Sequence, residues 1–257
     1  MSAPEILFEV IDNAAWITLN RPRRRNALSG EAIALLGECL DRAEVDDQVR
    51  VLCVTGADSD VFCAGADLST AIGAGTSGDA MRGYAELLKR IPSYPKPLVA
   101  RVNGHCLAGG LGLLLSCDMA YAHEDCKFGT PEVGVGLFPM MIGGLLTRDA
   151  IHKRILEMVY TGRSYSAHEA FEMGLLTRVV TAGELDRVVK GVLDDIAQRA
   201  PLAVQKGRRA LGAMQDMPMA EALDFLCASL DELVHTEDAI EGLTAFLQKR
   251  KPVWRGR

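Results

Sequence analysis

The 257-residue sequence contains no C-x-x-C pair, and its five His show no ligand spacing to any Cys. A structural zinc module or a paired-cysteine redox motif is therefore not expected. The seven Cys are an odd number, and several sit in apolar runs such as Val51-Leu52-Cys53-Val54. That usage points to reduced, buried thiols in a cytoplasmic protein rather than to a disulfide framework. The patterns G-x-x-x-x-G-K-[ST], H-E-x-x-H and G-x-S-x-G are all absent, so nucleotide-triphosphatase, zinc-protease and serine-nucleophile chemistry have no support. Basic charge is not in excess. Lys+Arg number 28 against 34 Asp+Glu, a net charge of −6 with a pI near 5.4. A nucleic-acid partner is disfavoured by that balance. The longest uncharged stretches, Val102–Cys117 and Val133–Thr147, are Gly-rich and shorter than the ~20 apolar residues of a spanning helix, so no membrane partner is expected. Met1-Ser-Ala-Pro-Glu5 lacks the basic and apolar segments of a signal peptide.

What is present is ordinary globular usage, with 49% hydrophobic and 24% charged residues, which excludes disordered and collagen-like classes. Ile6–Val10 and Ala15–Leu19 read as two strands joined by the turn Asp12-Asn13. Ser29 is an N-cap candidate, and Ile33, Leu36, Leu40 and Ala43 share one helical face behind it. Val49–Thr55 reads as a buried strand. A helix is predicted over Asp79–Arg90, ending before Ile91-Pro92, with strands at Leu98–Val102 and Asp118–Ala122 and an irregular stretch over Lys127–Pro139. From about residue 145 the pattern is helical, broken by one strand at Thr177–Val180. In the last long helix, Leu223, Leu226, Leu230 and Leu233 form a stripe that fits a partner helix or this chain's own core equally well. Strands alternating with helices in the first two thirds predict an α/β core with a helical appendage.

Arg holds four of the five positions 21 to 25, either as a solvated loop or as a phosphate contact suited to guanidinium forks. Gly73-Ala-Gly-Thr-Ser-Gly78 matches G-x-G-x-x-G, but no βαβ unit surrounds it, so dinucleotide binding is not expected. Two other turns place small residues directly after apolar strands: Ala64-Gly-Ala66 and Ala108-Gly-Gly110. Small side chains let backbone approach a ligand, and the second turn opens a helix whose first amides are unpaired. Two such amides can hold a developing oxyanion, and close helix–strand packing wants the same glycines.

Phe62-Cys-Ala-Gly-Ala-Asp67, Lys96–Gly104, Leu107-Ala-Gly-Gly110, Cys117-Asp118 and Phe128-Gly-Thr-Pro-Glu132, in that order, resemble the crotonase superfamily of enoyl-CoA hydratases and isomerases. Leu19-Asn-Arg-Pro22, Asn26-Ala-Leu28, Leu156–Gly162, Ala167–Gly174 and Glu241–Lys249 extend the resemblance over nearly the whole chain. It implies an α/β fold, a crotonase-like spiral of ββα turns. Residues 1–195 would form the catalytic core and residues 196–257 a C-terminal helical region that makes homotrimers or hexamers. It implies an acyl-CoA substrate whose thioester oxygen is held by the amides of Ala64 and Gly109. Ala66, Asp67, Leu68 and Gly110 would lie along the substrate, Asp67 orienting the turn or capping a helix. Arg24 and Arg25 would meet CoA phosphates, and Phe246 and Lys249 the CoA of a neighbouring subunit. No metal or redox cofactor is implied, since CoA is part of the substrate.

One departure stands out. Hydratases of the family usually carry two glutamates. Glu132 matches one, in Phe128-Gly-Thr-Pro-Glu132, whereas Gly112 occupies the position of the other. The run after Pro139 is Met140-Met-Ile-Gly-Gly-Leu-Leu146, a more apolar wall than the family pattern. Glu124 and Asp125 are weak candidates for a substitute carboxylate. The readings are hydration of a 2-trans-enoyl-CoA, isomerisation of a 3-enoyl-CoA by Glu132 as single base, and an acyl-CoA binder without turnover.

Overall fold

The structure is a computed structural model that describes residues 3–58, 60–67 and 77–257. Leu68 and most of Gly73–Gly78 lie outside the described residues.

β1 (Ile6–Ile11) and β2 (Ala14–Leu19) pair antiparallel. Asp12 and Asn13 join them with φ of 49° and 64°. This is the left-handed two-residue turn whose twist matches a hairpin and which Asn and Asp tolerate. Ser29 caps α1 (Gly30–Val45) by accepting the Ala32 N–H at 3.0 Å. Ile33, Leu36, Leu40 and Ala43 are all buried, as their spacing predicts. β3 (Val51–Gly56) is buried along its whole length, as a continuous apolar run requires. β4 (Val61–Cys63) then leaves for a second sheet.

α2 (Ser77–Ser93) runs through Pro92 and past the predicted end. Proline removes the rung to Leu88 O, and the carbonyls of the last turn stand at the helix end, where donors must come from elsewhere. Arg208 supplies them, donating to the carbonyls of Ile91 at 2.9 Å and Pro92 at 3.4 Å. β5 (Leu98–Val102), β6 (His105–Leu107), α3 (Gly109–Ser116), β7 (Met119–His123) and β8 (Lys127–Gly129) follow. The stretch predicted as irregular holds β8 and a 3₁₀ turn over Pro131–Val135 and leads into α4 (Met140–Asp149). α5 (His152–Thr161), β9 (Tyr165–Ser166), α6 (Ala167–Glu172), β10 (Arg178–Val180) and α7 (Leu185–Ala197) complete the α/β part.

The larger sheet has the order β1-β2-β3-β5-β7-β10 and is parallel from β2 onward. α7 covers one face, packing Leu185, Val189 and Leu193 on Val51, Cys53, Val99 and Tyr121. α1, α2 and α3 bury the other face in the main core. The smaller sheet has the order β4-β6-β8-β9, with β4, β6 and β8 parallel.

α8 (Pro201–Ala213), α9 (Met219–Val234) and α10 (Glu237–Leu247) end the chain. The leucine stripe lies on α9 and is split: Leu226 and Leu233 are half-buried, while Leu223 and Leu230 are each 59% exposed. α9 is not the last helix, because Thr236 caps α10 by accepting the Ala239 N–H at 3.2 Å. Among the described residues no helix is long and apolar enough to cross a membrane.

Candidate active site

Three parallel strands of the smaller sheet deliver three motifs to one edge. Cys63 at the end of β4 pairs with Cys106 of β6, and Leu107 pairs with Gly129 at the end of β8. Past those ends lie Ala64–Asp67, Ala108–Gly110 and Thr130–Glu132, segments far apart in the sequence. Chains leaving the carboxyl ends of parallel strands are free of sheet pairing, which is why sites form there in α/β folds.

The first turn runs beside Leu28. The Leu28 N–H donates to Gly65 O at 2.8 Å and the Asp67 N–H donates to Leu28 O at 3.0 Å, which makes an isolated parallel bridge between Leu28 and Ala66. In a parallel bridge the bridged residue turns its own N–H away from its partner. The Ala66 amide accordingly has no acceptor among the described residues. The sequence expectation of a donor at Ala64 is corrected here. The Ala64 N–H is already engaged, donating to Arg25 O at 3.1 Å.

Gly109 is the first residue of α3, and its N–H has no intrahelical partner by position. The two turns touch. A Cβ on Gly109 would lie 3.5 Å from Ala66 N, and one on Gly65 would lie 2.8 Å from Gly109 N. Gly65, at φ +94°, thus needs both glycine's conformational freedom and its lack of a side chain. Ala108, which enters α3, has φ 50° and ψ −129° with no side-chain cap, a conformation that costs about 1–3 kcal/mol in a non-glycine residue. Gly110 is buried against Cys63. Two amides without acceptors among the described residues thus stand on touching turns, an arrangement that can serve one anionic oxygen.

Asp67 anchors the first turn. Its carboxylate pairs with Arg21 at 2.8 Å, and Arg21 also pairs with Glu5 at 2.8 Å and donates to Ala27 O. The arginine run therefore divides. Arg21 is built into the turn, whereas Arg23, Arg24 and Arg25 are exposed and make no side-chain hydrogen bond or ion pair among the described residues. Sequence reasoning missed the role of Arg21. Its only signal was a carboxylate at Asp67 with no assigned partner.

Glu132 sits in the 3₁₀ turn, which the Leu137 N–H closes by donating to Glu132 O at 3.0 Å. The side chain is half-buried, and its Oε2 is shielded from solvent with no hydrogen-bond partner. Burial pushes the carboxyl above its usual value of 4.5, opposed only by its own backbone amide. Exposed Val135, Leu137, Phe138, Met140 and Met141 follow it, whereas Ile142 and Leu146 of the run expected as an apolar wall are buried in the core.

Position 112 is closed. A Cβ there would lie 2.5 Å from the Tyr84 hydroxyl and 2.6 Å from Ile142 Cγ2. Glu124 and Asp125 are exposed at the opposite end of β8 from Glu132, so neither replaces the missing carboxylate. The thiols at the strand ends are inert: burial pushes Cys63 up to about 12 and Cys106 well above its ordinary value. Among the described residues no cluster of His, Cys, Asp or Glu could hold a metal. Phe246 and Lys249 are exposed at and just past the end of α10.

The comparisons agree with this architecture. The family model for enoyl-CoA hydratase/isomerase matches residues 9–257. The short-chain-enoyl-CoA hydratase of Clostridium acetobutylicum is 31% identical over 254 residues, covering 98% of this chain and 97% of that one. The (E)-benzylidenesuccinyl-CoA hydratase of Thauera aromatica is 34% identical over 257 residues, covering 98% of this chain and 99% of its own. A solved enoyl-CoA hydratase from Bacillus anthracis superposes with a TM-score of 0.94 at 31% identity, covering 98% of this chain and 100% of that one. The α/β fold implied by the sequence resemblance is thus the one observed, and the chain belongs to the enoyl-CoA hydratase/isomerase family.

Proposed function

We propose that this enzyme acts on an acyl-CoA by forming a thioester enolate. The Ala66 and Gly109 amides hold the enolate oxygen, and Glu132 is the single acid–base group. The observation that carries this reading is Glu132 itself, with a shielded, unpartnered oxygen and a carboxyl pushed toward neutral pH by burial. A carboxylate in that state is a stronger base than an exposed one. Each donor of the amide pair is worth about 3–4 kcal/mol in the transition state.

Hydration of a 2-trans-enoyl-CoA to a 3-hydroxyacyl-CoA is the first reaction, in keeping with the names of the relatives. Glu132 takes a proton from water as the oxygen adds to C3, and the electron pair moves through the conjugated system onto the thioester oxygen. Glu132 then returns that proton to C2 as the enolate collapses. Isomerisation of a 3-enoyl-CoA is a second reading, favoured by the closed position 112. Glu132 removes a proton from C2 and returns it at C4 through a dienolate, with no second carboxylate required.

Exposed Arg24 and Arg25 suit the CoA phosphates. Apolar side chains left exposed on α9 and α10, among them Leu223, Leu230, Leu243 and Phe246, support a homotrimer or hexamer, which light scattering would measure. In such an assembly Phe246 and Lys249 reach a neighbour's CoA.

The test incubates the enzyme with 2-trans-butenoyl-CoA and with a 3-enoyl-CoA. A product heavier by one water means hydration, and a 3-enoyl substrate that becomes conjugated at constant mass means isomerisation. Neither product, or full turnover in Glu132→Gln, would sink the reading.

A further inference from the structure

Tyr84 projects from α2 into the space that position 112 leaves and is 6% exposed. Its hydroxyl donates to the carbonyl of Gly109, and the backbone N–H of Leu113 faces the phenol oxygen. Gly109 and Leu113 stand one i, i+4 step apart in the first turn of α3, so the phenol is wedged at that turn. That helix start has little else to hold it. Ala108 enters it at φ 50° with no side-chain cap, and the other ties there are backbone ones, the Leu111 N–H donating to Ala108 O and the Ala108 N–H donating to Gly129 O, both at 2.9 Å. The Gly109 N–H, half of the proposed donor pair, is one peptide away from the carbonyl that Tyr84 grips.

We propose that Tyr84 is a positioning residue: its hydroxyl fixes the first turn of α3 and so aims the Gly109 N–H at the thioester oxygen. This rests on the enolate reading above. The bond and the packing are one device, because the hydroxyl that reaches Gly109 stands where a side chain at 112 would begin. Glycine at 112 is the condition for the tyrosine's grip. Burial keeps the phenol protonated at neutral pH, so it remains a donor to the carbonyl throughout a catalytic cycle.

The experiment uses the whole enzyme, Tyr84→Phe and Tyr94→Phe. Tyr94 is the control, a second buried tyrosine whose hydroxyl donates to Leu40 O at 2.8 Å, away from the site. The probes are acetoacetyl-CoA, whose enolate absorbs in the near ultraviolet, and saturated butanoyl-CoA. In Tyr84→Phe the enolate fraction of bound acetoacetyl-CoA falls about 2- to 12-fold, the range for one neutral hydrogen bond. kcat falls by a similar factor with KM unchanged, and butanoyl-CoA affinity is retained. Tyr94→Phe lowers the melting temperature comparably and leaves the enolate fraction as it is. An unchanged enolate fraction in Tyr84→Phe, or an equal drop in Tyr94→Phe, overturns the positioning role and leaves the enolate reading standing. A wild-type enzyme that binds butanoyl-CoA but shows no enolate band overturns the enolate reading, and the role of Tyr84 with it.

Discussion

Gly112 and Glu132 follow neighbouring parallel strands, and the hydratase pattern that the sequence resembles puts a carboxylate at both. Around Glu132 the structure leaves an oxygen shielded and unpartnered. Around Gly112 it leaves no space, because the Tyr84 hydroxyl and an Ile142 methyl occupy it. The contrast teaches that a missing side chain is not a vacancy. Interiors are close-packed, so losing one carboxylate is coupled to neighbours that now exclude it.

The sharpest break of this comparison is Glu132→Gln. Turnover falls by about 10²–10⁴-fold, the usual share of a general acid–base group, while butanoyl-CoA binding measured by calorimetry persists. In the wild type the acid limb of kcat/KM lies above pH 4.5, because burial raises the Glu132 carboxyl above that value. The same shift has a stability consequence of defined sign. Between 4.5 and the raised value the folded state holds the proton more tightly than the unfolded one, so stability declines as pH rises through that window. Glu132→Gln abolishes this decline, and at pH 7 it melts higher than the wild type.

The reverse substitution, Gly112→Glu, does not restore a two-carboxylate site. It forces a side chain against Tyr84 and Ile142 and costs about 1–3 kcal/mol by overpacking, read from urea unfolding. Faster hydration at undiminished stability would show that position 112 is open after all. A third, smaller effect sharpens the comparison from the other turn. Asp67→Asn weakens the pair with Arg21 that anchors Ala66, lowering stability by about 1.5 kcal/mol, as for a hydrogen bond to a charged group. Turnover falls and CoA affinity does not. The smallest effect is electrostatic. CoA binding weakens as salt rises, because exposed Arg24 and Arg25 are screened. Replacing both with Gln removes that dependence.

Much of the fold was legible in the residues. Asp12-Asn13 announced a hairpin, Ser29 a helix start, and the spacing of Ile33, Leu36, Leu40 and Ala43 a buried face, all of which the structure bears out. These signals are local, carried within a few residues by turn chemistry, capping and periodicity. The end of α2 was not legible. The carbonyls of Ile91 and Pro92 in its last turn accept from Arg208, more than a hundred residues later. The leucine stripe on α9 was ambiguous for a related reason, since spacing defines a face and not its partner.

The candidate site divides along the same line. The sequence by itself singled out the segments that the smaller sheet brings to one edge: the small-residue turns at 64–66 and 108–110, and a Pro-Glu at 131–132. Only the tertiary structure decided which amide is free. Ala64 and Ala66 are both small residues of one turn, but pairing with Arg25 occupies the first and pairing with Leu28 turns the second outward. Tertiary structure alone also divided Arg21 from its exposed neighbours and brought Tyr84 to Gly112. The reason is physical. A residue's conformational preference is set by atoms bonded nearby, whereas the freedom of a hydrogen-bond donor or the filling of a gap depends on partners that only the folded chain brings within reach.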